Sequence, residues 1–99
     1  YKANVGDIRE SPALDILEFL IRRGAVVSYS DPYVATLEDG GLDLVSVSEG
    51  QAFDNGVDCA IITTAHRCFD YESIVKRAPI VIDTRNALKG RHEPHIFRL

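Results

Sequence analysis

Cysteine is scarce in this chain. Cys59 and Cys68 are the only two in 99 residues, their spacing fits no metal motif, and one pair makes a poor disulfide framework. Reduced thiols in a cytoplasmic protein are the simpler expectation. No apolar run approaches the length of a membrane span, and no signal peptide is recognisable. Positive charge is not in excess either. A net charge of −4 at pH 7 argues against a general nucleic-acid or membrane-surface binder. Any anion site must therefore be built from a few placed basic residues. Internal repeats, low-complexity segments and a Gly-x-Gly-x-x-Gly fingerprint are all missing. The chain also opens on Tyr1 rather than methionine, so the expectation is a piece of a longer protein. What is present is ordinary for one globular domain over residues 1–99. Hydrophobic content of 45% and charged content of 26% suffice for a single modest core.

The most informative stretch is the opening, Tyr1-Lys2-Ala3-Asn4-Val5-Gly6-Asp7-Ile8-Arg9-Glu10-Ser11-Pro12. Ser11 suits an N-cap because its hydroxyl can accept from first-turn amides, and Pro12 suits the first helical position. A helix start beside Lys2 and Arg9 suits an anion, although a capped helix with solvated charges accounts for the same residues. Ala13, Ile16, Leu17, Leu20 and Ile21 continue one apolar helix face, so a helix is expected over residues 11–23 and packed on a sheet. Gly24 is placed to end it. A short buried strand is expected over residues 25–30, then a turn at Asp31-Pro32 and a loop over residues 33–41. Residues 44–47 suit a short strand, and Ser48 a cap for a brief helix ending near Gly56. The apolar run within residues 57–64 predicts a strand covered on both faces. Asp70 should cap a helix through Tyr71, Ile74 and Val75. Residues 80–82 predict another buried strand, and 95–98 a final edge strand.

Alternating helices and apolar strands imply an α/β fold, a Rossmann-like and mostly parallel sheet with flanking helices. Parallel strands are joined by right-handed crossovers, so the first helix needs a strand before it. That first strand is expected to be missing from the sequence. A segment outside residues 1–99, or a neighbouring chain, is expected beside residues 25–30 or 57–64.

Ligands of open α/β sheets bind beyond the carboxyl ends of strands. Lys2 and Arg9 follow the presumed missing strand, His66 follows the strand through Ile62, and Arg85 follows the strand through Ile82. Arginine grips phosphate with two parallel donors, and lysine supplies a mobile charge. Asp31 invites comparison with a ribose-binding acid, but a strand-terminating turn is the simpler reading. His66 lacks a spaced nucleophile or oxyanion element and is expected to be structural or near the ligand. His92 and His95 lack further metal ligands.

The opening segment, Ser30-Asp31-Pro32-Tyr33-Val34, residues 63–66 and Val81-Ile82-Asp83-Thr84-Arg85-Asn86 occur in an order that resembles one family. The chain is similar to the C-terminal, UDP-binding domain of the UDP-glucose/GDP-mannose dehydrogenases. In detail it looks most like bacterial UDP-N-acetylglucosamine 6-dehydrogenase members. The resemblance implies oxidation of a sugar C6 alcohol to a carboxylate in two NAD-dependent steps, by a homo-oligomeric full-length enzyme. It implies that Tyr1, Lys2 and Arg85 contact the UDP-sugar, UDP-N-acetylglucosamine or UDP-glucose, and that Arg9 faces NAD. NAD itself would be held mainly by an N-terminal domain that this sequence lacks. Departures are visible: the family's Gly-x-Cys nucleophile context is absent, and Ala65 stands where family members carry an acidic residue. The chain alone is therefore expected to be inactive. A self-contained α/β module for another phosphorylated ligand, and a subunit-assembly domain, are the competing readings.

Overall fold

The computed structural model describes residues 12–38 and 43–99. Helix α1, Pro12–Arg22, is followed by strands β1, Thr36–Leu37, and β2, Leu44–Val45. Helix α2, Glu49–Asp54, strand β3, Ala60–Ile62, and helix α3, Tyr71–Arg77, come next. Strands β4, Val81–Asp83, and β5, Ile96–Arg98, complete the series. Strands β3, β4 and β5 lie side by side in that order, and both pairings are parallel. The α/β architecture expected from the alternation is the one observed.

Local chemistry sets the helix ends. Past α1, Gly24 takes φ 89, the Gly24 amide donates to Ile21 O and the Ala25 amide to Leu20 O. These two bonds make a Schellman closure, which needs the left-handed residue that glycine supplies without strain. At α2, Ser48 Oγ accepts from the Gln51 amide while Gln51 Oε1 accepts from the Ser48 amide, a complete capping box. At α3, Asp70 Oδ1 accepts from the Ser73 amide. The Asp70 amide in turn donates to the Glu49 carboxylate, which ties the start of α3 to the start of α2.

The core lies on one face of the sheet. Ile62, Val81 and Ile96 meet Ile74, Val75 and Ala78 of α3 and its C-cap, with Leu88 beside them. Ladder register explains the selection, because Ala60, Val81 and Ile96 are paired neighbours and their side chains share a face. The alternate row of Ile61, Ile82 and Phe97 points the other way, and Phe97 stays exposed.

Several expectations need correction. Residues 25–30 form no ladder, and Val26 is fully exposed. A strand requires a neighbour, and here only Tyr29 O finds a backbone donor, the Val47 amide. Strand β3 has no ladder partner on its outer edge among the described residues. Helix α1 forms as expected, yet none of its described side chains is buried or joins the core cluster. Within the expected loop, Thr36 and Leu37 instead pair antiparallel with Val45 and Leu44. The β-branched and aliphatic side chains suit that ladder, and Leu37 is buried.

Candidate functional site

Parallel pairing brings the carboxyl ends of β3 and β4 side by side. Thr84 fastens them, its amide and its hydroxyl both donating to Ile62 O at 3.1 and 2.7 Å. The loop after β4 is organised by Asp83, whose side chain is almost wholly buried. Asp83 Oδ1 accepts from the Arg85 amide at 3.0 Å and the Ala87 amide at 3.1 Å, and Oδ2 accepts from the Leu88 amide at 2.8 Å. Burial alone would push this carboxyl up. The Leu88, Arg85 and Ala87 amides, with the nearby Arg98 cation, outweigh that and hold it below the ordinary value.

Asn86, at φ 58, occupies the left-handed region that asparagine tolerates better than most residues. Leu88 anchors the far side of the loop in the core, and its carbonyl accepts from the Arg98 guanidinium at 2.7 Å. The same Arg98 nitrogen also bonds Arg91 O. Arg85 is exposed, and among the described residues its guanidinium meets no acceptor. A basic side chain is thus offered to solvent from a braced loop at a strand's carboxyl end.

His66 is buried completely and lies 3.0 Å from Asp31 through Nε2 and Oδ2. Facing a carboxylate oxygen, Nε2 serves as the donor in this contact. The ring sits against Tyr33 and Phe69, with centroids at 4.8 and 5.4 Å, and Tyr71 donates its hydroxyl to His66 O. The hydrogen-bonded, buried setting that a structural histidine requires is present. Asp31 also closes the expected turn, its Oδ1 accepting from the Tyr33 amide at 2.9 Å. Ser46 Oγ accepts from the Asp31 amide and donates to Asp31 O. Asp31 is therefore committed to the fold.

The remaining candidates are quickly placed. Tyr1, Lys2 and Arg9 lie outside the described residues. His95 donates Nε2–H to Val75 O at 2.7 Å, and His92 is exposed. Both cysteines are exposed and unpaired, and desolvation by neighbouring atoms pushes the Cys59 thiol up, which opposes nucleophilic activation. No described helix is long and apolar enough to cross a membrane. A cleft of about 460 Å³ opens at the amino ends of β4 and β5, beside Pro79, Arg91, Glu93 and His95. Its charged groups are engaged, Arg91 with Glu93 at 2.8 Å and Lys76 with Glu72 at 3.3 Å. The strand-end loop is the better site on chemical grounds, although this cleft lies elsewhere.

Sequence reading treated Asp83 only as part of a motif and missed its role. The signal was available: an acid closing an apolar strand, followed at once by turn residues.

Parallel strands with flanking helices define an α/β domain, with Arg85 exposed on the loop after β4. The family model for the UDP-glucose/GDP-mannose dehydrogenase family, UDP binding domain, matches residues 1–90, and the chain belongs to that family. It is 37% identical over 103 residues to the UDP-N-acetyl-D-mannosamine dehydrogenase of Pyrococcus horikoshii, covering 99% of this chain and 22% of that protein. It is 33% identical over 97 residues to the enzyme of the same name from Methanococcus maripaludis, covering 90% and 21%. With the UDP-glucose 6-dehydrogenase of Rickettsia bellii it shares 32% identity over 100 residues, covering 91% and 23%. The chain thus spans about a fifth of the length of these relatives. No solved structure matches it significantly.

Proposed function

We propose that residues 1–99 form the nucleotide-sugar-binding domain of an NAD-dependent UDP-sugar 6-dehydrogenase, an enzyme that oxidises the sugar's C6 alcohol to a carboxylate. The observation that carries this reading is Arg85: an uncommitted guanidinium on a braced strand-end loop, inside the stretch matched by the UDP-binding family. A guanidinium so placed suits the pyrophosphate, where charge-assisted and bidentate hydrogen bonds are strongest. In this reading Tyr1 and Lys2 complete the UDP-sugar contacts, and Arg9 faces NAD. The domain binds and orients the nucleotide-sugar and performs no hydride transfer.

NAD and the reacting groups belong, in this proposal, to another part of a longer, homo-oligomeric protein. Two features support that division: the relatives are several times longer, and Asp31 is engaged within the fold. Family membership favours this reading over a self-contained module. The relatives' names point to UDP-N-acetylhexosamines beside UDP-glucose as the substrate class.

The test is NADH formation by the full-length protein that carries this chain, offered UDP-N-acetylglucosamine, UDP-N-acetylmannosamine and UDP-glucose. Turnover of at least one supports the reading, and turnover of none removes it. Residues 1–99 alone should stay at background.

A further inference from the structure

We propose that Asp83 is a positioning residue for Arg85: its carboxylate shapes the loop that delivers the guanidinium to the diphosphate of UDP. This rests on the assignment of Arg85 to the UDP-sugar made above. Three amides spread over the loop, those of Arg85, Ala87 and Leu88, converge on one buried carboxylate. The loop leaves the sheet at Thr84, which is bonded to Ile62 O, and re-enters the core at Leu88. Between these anchors the Asp83 carboxylate is the hub of the turn, and Asn86 at φ 58 completes the reversal.

The Arg85 side chain meets no acceptor among the described residues, so backbone geometry alone aims it. An arginine already surrenders rotamer freedom when it grips a ligand. A loose loop would add backbone disorder to that cost, and binding would weaken without loss of any direct contact.

Charge and geometry make opposite predictions here, which gives the test its force. Asp83 is an anion near a proposed anion site, so removing its charge favours UDP electrostatically. Removing its acceptor geometry should disfavour UDP. Asp83→Asn separates the two, because an amide matches the carboxylate in shape but carries two donors in place of one oxygen. Either orientation of that amide sets donor against donor, at Leu88 or at Arg85 and Ala87.

The experiment is titration of UDP into the full-length protein carrying D83N, R85A or both, beside the unsubstituted protein. D83N should weaken UDP binding about 5- to 20-fold, and the double variant should bind no more weakly than R85A alone. UDP affinity unchanged or improved in D83N, or an equal loss from D83N in both backgrounds, overturns the proposal. If D83N does not fold, N86P interrogates the same loop from an exposed position, since proline fixes φ near about −65°. The same non-additivity with R85A is expected, and its absence overturns the proposal. An R85A protein that binds UDP normally removes the assignment of Arg85, and the positioning role with it. R85A weakened but D83N and N86P unaffected removes the positioning role alone.

Discussion

His66 and Asp31, 35 residues apart in sequence, join the segment before β1 to the segment after β3 through one 3.0 Å contact. Neither end belongs to a ladder, so this pair does the work that strand pairing does elsewhere in the domain. His66→Ala would leave the Asp31 carboxylate short of a donor and empty the space between Tyr33 and Phe69. A loss of about 2–4 kcal/mol in unfolding free energy is expected from urea titration. Asp31→Ala should cost a similar amount, and the two losses should be strongly non-additive. Additive losses would show that the contact contributes little.

Leu88 closes the loop that carries Arg85 and fills the core beside Ile62 and Val81. Leu88→Ala should destabilise the domain by about 2–5 kcal/mol, the usual range for truncating a buried leucine. The same urea titration measures it. A cost below about 1 kcal/mol would mean that the loop seals itself without this plug.

Stability should respond to acid through Asp83. Its carboxyl is held below the ordinary value of 3.8 because, although burial raises it, the Leu88, Arg85 and Ala87 amides and Arg98 lower it more. A depressed folded pKa gives stability that is fully present above the unfolded value. That stability is lost as pH falls from there through the lower folded value. Unfolding free energy measured across this acid range should therefore decline, and Asp83→Asn should remove part of the decline. An identical acid profile for D83N would contradict the assignment.

The two thiols should be dispensable. Desolvation by neighbouring atoms raises the pKa of the exposed Cys59 thiol, so its alkylation near neutral pH should be slower than that of a cysteine in an unstructured peptide. Urea should abolish the difference. Replacing Cys59 and Cys68 together with serine should leave UDP affinity unchanged, as titration would report. A large loss would place a thiol in the site.

Legibility in the sequence followed the range of the forces involved. Gly24, Ser48 and Asp70 act within one helical turn, and each ends or starts a helix as its chemistry demands. Ile80 to Ile82 and residues 95–98 announced β4 and β5 to within a residue, because apolar runs and breakers are local signals. Residues 25–30 misled for the opposite reason: a strand is completed by its neighbour, and no ladder forms there. The site divides in the same way. The exposed position of Arg85 beyond β4 was legible from its place after an apolar run. The bond between His66 and Asp31 was not, because nothing local distinguishes a histidine that pairs 35 residues away from one on the surface.

UDP titration of the Lys2→Ala and Arg85→Ala proteins, made in the full-length protein, tests the central claim most directly. If both side chains serve one nucleotide-sugar site, each substitution should weaken UDP binding by roughly 1.5–3 kcal/mol, about tenfold or more. NAD affinity should change less. Arg9→Ala should show the reverse preference. UDP affinity unchanged in both the Lys2 and Arg85 variants would contradict the account, whatever the fold.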